Sequence, residues 1–160
     1  MNSDTLLDEL ETTRERLLVA LEPLSDEALT QPETIGQWSV ADVMAHLTAW
    51  ESELVTALMR LKSGQKPARF LESAADVAGF NSRVYEENKG RDLDRIFADF
   101  HGVRVQLERW LENFSDQELK DPQRFRWLKG QPLLKVIKQC SYGHELEHLP
   151  EIEAYSRSVQ

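Results

Sequence analysis

The chain has 160 residues, of which 41% are apolar, and a net charge of -9. That length and apolar content exclude a disordered chain and two ordinary domains, so residues 1–160 are expected to form one domain around one core. The charge argues against a nucleic-acid footprint or an anionic membrane surface, and no apolar run approaches the roughly 18 residues that cross a bilayer.

The start, MNSDTLLDEL, is acidic and amphipathic, unlike a signal peptide. A single cysteine, Cys140, excludes an intrachain disulfide and fits a cytoplasmic protein. From about Asp4 to Glu22 the pattern predicts a helix with the stripe Leu6, Leu7, Leu10, Leu17, Leu18 and Leu21, stopped by Pro23. The second helix has a clear start. Ser39 and Asp42 have capping-box spacing, and Trp38 and Val43 are placed for a hydrophobic staple. Its stripe is Val43, Leu47, Trp50, Leu54 and Leu58, ending near Leu61.

A long crossing from Lys62 to Arg91 is expected to hold a shorter helix, Ala74 to Asn88, ended by Gly90. A third long helix spans about Leu93 to Asn113, with Ile96, Phe100, Val103, Leu107 and Trp110 inward. A fourth starts at Pro132 and runs toward Tyr155, weakened at Pro150. An internal echo, Leu21-Glu22-Pro23-Leu24-Ser25-Asp26 against Leu111-Glu112-Asn113-Phe114-Ser115-Asp116, places a capped turn after the first and third long helices.

Four long amphipathic helices predict an all-α four-helix bundle. The long crossing between the second and third favours an up-down-down-up order. In that order the second and fourth helices are antiparallel, and His46 and His148 each lie about 10–12 Å from the same end, at 1.5 Å per residue.

Those histidines are the chief chemical signal. On the fourth helix the inward stripe reads Leu133, Val136, Cys140, His144, His148, so imidazoles stand where apolar residues are expected. His144 and His148, four apart, share a face. His46 sits beside the buried stripe of the second helix. Three neutral imidazoles suit zinc, nickel or ferrous iron and leave a coordination position open, as catalytic sites do. Hydrogen-bonded histidines at the bundle mouth are the alternative reading. Glu51, Glu145, Glu147 and Glu151 are near in sequence, and Glu51 and Glu147 are the candidates to orient an imidazole or serve as base. His101 is out of step with its helix stripe and reads as a boundary residue. Cys140 reads as packing rather than as a nucleophile. The tryptophans Trp38, Trp50, Trp110 and Trp127 read mostly as core, and Arg124, Arg126 and Lys129 as a solvated patch. No phosphate loop, nucleotide fingerprint or nucleophile elbow is present.

The stretches Trp38-Ser39-Val40-Ala41-Asp42-Val43-Met44-Ala45-His46-Leu47 and Tyr142-Gly143-His144-Glu145-Leu146-Glu147-His148-Leu149-Pro150 resemble the second-helix and last-helix motifs of the DinB-like superfamily. The Asn81-to-Glu87 region and the stretch around Trp127 bring the ClbS/DfsB branch closer. The resemblance implies an up-down-down-up bundle and a divalent cation held by His46, His144 and His148. Relatives include transferases and isomerases that use a small thiol, which makes a thiol cosubstrate an expectation. In ClbS-like members hydrolytic detoxification of a reactive genotoxin is known, a substrate not carried over to this chain. Many relatives dimerise, so a homodimer is expected.

Two functions follow. One is a divalent-metal-dependent hydrolase or thiol-dependent transferase acting on a small electrophilic metabolite or toxin. The other is a non-catalytic small-ligand-binding or stress-related bundle in which the histidines serve stability.

Overall fold

The computed structural model describes residues 2–160 and is helical throughout, with no strand among the described residues. Its helices are α1 (Ser3–Leu21), α2 (Asp26–Thr30), α3 (Val40–Lys62), α4 (Ala68–Ala75), α5 (Val77–Asn88), α6 (Leu93–Leu111), α7 (Asp116–Lys120), α8 (Leu133–Cys140) and α9 (Tyr142–Ser158). A short 3-10 turn, Arg126–Leu128, precedes α8.

The expected start of α3 is present in full. Ser39 Oγ accepts from the Asp42 amide at 3.1 Å, and Asp42 accepts from the Ser39 amide at 2.9 Å. Two donors that a helix start leaves unpaired are thereby satisfied. The echo also has a structural counterpart. Ser25 caps α2 and Ser115 caps α7, and Leu29 and Leu119 one turn on are both buried.

Three expectations need correction. The crossing holds two helices, because Asp76 ends α4 and its side chain accepts from the Gly79 amide to start α5. The last long helix breaks at Ser141, whose hydroxyl donates to the Ile137 carbonyl and whose amide donates to Lys138. Pro150, in contrast, lies inside α9 without ending it. Pro150 and Leu146, whose carbonyl the proline leaves without its helical donor, are both exposed residues. Finally, Leu7 and Leu18 are exposed, while Thr13 and Arg14 are buried with Leu6, Leu10, Leu17 and Leu21.

Arg14 marks the organising feature of the interior. Each long helix contributes a buried charge to one layer: Arg14 on α1, Glu51 on α3, Arg104 on α6 and Glu145 on α9. Arg104 donates to Glu51 Oε1 at 2.9 Å and to Glu145 Oε1 at 2.8 Å, and Arg14 donates to Glu145 Oε2 at 2.8 Å. Arg14 also approaches Glu51 Oε2 at 3.6 Å and stacks 3.7 Å over the Phe100 ring. The apolar core divides on either side of this layer. Leu6, Leu10, Leu54, Leu58, Leu107 and Leu133 belong to one cluster; Leu17, Leu21, Val43, Leu47, Phe100 and Leu149 belong to the other.

Candidate metal centre

His46 lies on the second turn of α3, held by the capping box and by the burial of Val43 and Leu47 on either side. His144 and His148 lie on the first two turns of α9, just past the break at Ser141. Cys140, at the end of α8, lines the same cavity as the two imidazoles, so the face is shared across the break. His46 is 6% exposed, and His144 and His148 are half-buried.

The three rings converge. Their centroids are 4.6 Å (46 to 144), 5.2 Å (46 to 148) and 5.1 Å (144 to 148) apart, in near-perpendicular pairs. One nitrogen from each lies within 4.8 Å of the others, and the Nε2 atoms of His46 and His144 are 2.8 Å apart. Burial, then the neighbouring imidazoles, pushes His46 down to about 3; burial and His148 push His144 down to about 4. His148 is also lowered, chiefly by burial. At neutral pH the three are therefore uncharged, the form that ligates a metal.

This donor set fits a divalent cation. Nitrogen ligands at 2.0–2.1 Å from a tetrahedral ion are about 3.3 Å apart, so small side-chain rotations would bring these rings to that spacing. The buried Nδ1 of His46 has no partner among the described residues. Its only hydrogen-bond contact among the described residues is thus the one at Nε2 toward His144, and no second partner at Nδ1 orients the ring.

The rings open into a cavity of about 480 Å3. Trp38 and Trp50 wall it on the α3 side; Phe70, Ala74, Val77 and Asn81 come from α4 and α5. Trp38 packs 5.0 Å from the His46 ring and stacks on Tyr85. Trp50 Nε1–H donates to Asn81 Oδ1 at 2.8 Å, tying α3 to α5. Gln139, Cys140 and Glu147 complete the wall.

Of the expected carboxylates, Glu147 is exposed and lines this cavity. Glu51 does not. Its side chain is 3% exposed, and its oxygens face Arg104 and Arg14 within the charged layer. Glu145 belongs to the same layer. His101 is exposed on α6, outside the cavity. Trp110 and Trp127 pack against the core, and Arg124 pairs with Glu118 at 3.4 Å.

Two sets of residues escaped the sequence reading. Arg14 and Arg104 occupy inward positions, four after Leu10 and Phe100 and three before Leu17 and Leu107, and that register was the available signal. Phe70 and Asn81 come from the crossing, where no spacing links them to the histidines.

A family model described as the DinB superfamily matches residues 9–152. The crystal structure of an uncharacterised protein from Escherichia coli UTI89 is similar with a TM-score of 0.80, covering 99% of this chain and 94% of that one at 12% sequence identity. At that identity the likeness concerns the fold alone. A comparison with curated proteins gives no match.

Proposed function

This chain belongs to the DinB superfamily, and from that premise we propose that it is a divalent-metal-dependent enzyme acting on a small electrophilic molecule, by hydrolysis or by conjugation to a small thiol. The observation that carries the proposal is the convergence of three uncharged imidazoles, one ligand nitrogen from each within 4.8 Å, at the wall of an aromatic cavity. His46, His144 and His148 would hold the ion, and three protein ligands leave a position for substrate or water. When bound, such an ion supplies Lewis-acid polarisation and a lowered pKa for water.

The chain's own groups define the rest. Trp38, Trp50 and Phe70 form an apolar wall that binds the body of a substrate and limits water. Glu147, at the open edge, is placed to take up or return a proton. Glu51 supports the site from beneath, as counter-ion to the arginines that also hold Glu145, the neighbour of His144. Cys140 lines the cavity, but burial and the charges of Glu51 and Glu53 push its thiol up to about 12. A thiol reaction would therefore draw its nucleophile from a cosubstrate.

Within the superfamily we place the chain nearest the ClbS/DfsB branch, on the stretches around Asn81 and Trp127. An up-down-down-up order is supported by the two core clusters: α1 passes from the first to the second, α3 and α6 from the second to the first, and α8 and α9 return.

One contact favours the non-catalytic reading. The 2.8 Å approach of His46 Nε2 to His144 Nε2 is a good hydrogen bond between two neutral rings and needs no ion. The two readings separate in one experiment. Untagged protein, loaded with zinc, nickel or iron(II), is incubated with strained-ring and α,β-unsaturated electrophiles, with and without a small thiol. Product is followed by mass spectrometry. Turnover that chelator abolishes and metal restores supports the enzyme. No turnover with any loaded metal, together with ligand binding unaffected by chelator, sinks it.

A further inference from the structure

A second cavity, of about 400 Å3, shares no wall residue with the histidine cavity. α4 and α5 stand between them. Phe70, Ala74 and Asn81 turn toward the histidines, whereas Arg69, Ser73 and Val84 turn toward the second cavity. Ala45, Ala49 and Ser52, on successive turns of α3, leave the room for it.

At its wall stands an incompletely partnered charge. The Glu53 side chain is 4% exposed. Its Oε1 accepts from Arg69 Nε at 3.0 Å, and its buried Oε2 has no partner among the described residues. A carboxylate has room for about four hydrogen bonds, and leaving a buried oxygen without any is costly. Arg69 compensates poorly, because its side chain is 73% exposed and its charge is largely solvated. Arg69 is also the removable part of the wall, a long flexible arm that can swing into solvent and uncover Glu53.

The surroundings name the missing donor. Asp99 is paired with Arg91 at 2.7 Å, while Glu72 and Glu87 add negative charge around the cavity against Arg83. Ala49, Phe80, Val84 and Ile96 supply an apolar lining suited to a short hydrocarbon. The geometry points to a second ligand site, independent of the histidines, that takes a small organic cation: an ammonium or guanidinium donates to Glu53 Oε2, and its alkyl portion lies on the apolar lining.

The test uses n-butylammonium as probe and 1-butanol as its neutral counterpart, with amide chemical shifts followed by NMR on the full chain. The expected result is saturable shifts within residues 45–53, 69–73 and 80–88 for the cation and none for the alcohol. Glu53→Gln weakens binding by at least about tenfold, the weight of a hydrogen bond to a charged group. Ser52→Phe, a change at an exposed position on the cavity wall, abolishes it. Absence of saturable shifts, equal affinity for the alcohol, shifts confined to the histidine cavity, or unchanged affinity in Glu53→Gln overturns the assignment. If circular dichroism shows that Glu53→Gln has lost its fold, Ser52→Phe decides: binding as in the unmodified chain overturns it.

Discussion

His46 and His144, 98 positions apart in the chain, face each other through their Nε2 atoms at 2.8 Å. With His148 they form a donor set whose members come from only two helices, so removal of any one leaves two ligands. Loss of a group that merely orients a ligand costs about 10–100-fold in metal affinity, and loss of a ligand costs at least that. His46→Ala, His144→Ala and His148→Ala are each expected to weaken zinc binding by more than about tenfold in calorimetric titration of untagged protein. A stoichiometry of one ion per chain, retained in all three variants, would place the metal elsewhere.

The charged layer makes an opposite pair of demands on stability. Arg104 holds both Glu51 and Glu145. Arg104→Met leaves two buried carboxylates with Arg14 alone, and breaking such a network by removing one partner costs about 3–5 kcal/mol. Replacing all four charges together, with Arg14→Met, Glu51→Leu, Arg104→Met and Glu145→Leu, should recover most of that loss, since desolvation of the charges disappears with them. Urea midpoints at constant m-value measure both.

The long helices and the histidine positions were legible in the sequence because both depend on local period. Ser39 and Asp42 fixed the start of α3, and four-residue spacing fixed the shared face of His144 and His148. The role of Glu51 was not legible. Its partner lies 53 positions away, and a carboxylate near a histidine in sequence says nothing about an arginine on another helix. The break at Ser141 was hidden for a different reason. Apolar period continues through Val136, Cys140 and His144, so only the backbone geometry of one residue separates α8 from α9.

Acid should destabilise the metal-free protein through the same rings. His46, His144 and His148 all titrate below the ordinary value of 6.5, with His46 near 3 and His144 near 4, because burial disfavours their charged forms. As pH falls below 6.5 the unfolded chain takes up protons that the native chain refuses. Stability is therefore complete above that point and is lost progressively down to the native values. Urea midpoints from pH 7.5 to 4.5 should fall, and fall less steeply in His144→Gln. Parallel slopes in the two proteins would show that the loss comes from other groups.

Cys140 should behave as an inert thiol. It is buried, and burial with the nearby carboxylates Glu51 and Glu53 raises it to about 12, so little thiolate exists at pH 8. A disulfide reagent that yields a coloured thiolate should react slowly with the native chain and fast in denaturant. Rapid reaction in the native state would reopen a nucleophilic role. Cys140→Ala should keep zinc affinity within about twofold, because a sulfur that stays protonated is a poor ligand.

Gly143 links the backbone break to the chemistry. A Cβ there would lie 2.6 Å from the Lys138 carbonyl oxygen and 3.2 Å from its carbon, contacts with main chain that no side-chain rotation relieves. The reason is the joint itself: α9 begins one residue past Ser141, and Gly143 in its first turn lies against the Lys138 carbonyl in the last turn of α8. Gly143→Ala must push the two helices apart, and His144, the next residue, moves with the start of α9. The variant is expected to lose zinc affinity by about tenfold or more although no ligand is altered, in line with loss of a supporting contact. Gly102→Ala is the control, because a Cβ at that helical position meets nothing within 4 Å. It should match the unmodified chain in zinc affinity and gain slightly in stability, by up to about 1 kcal/mol, from the better helix propensity of alanine. Equal zinc affinity in Gly143→Ala and Gly102→Ala would mean that the joint at Ser141 tolerates opening without moving His144.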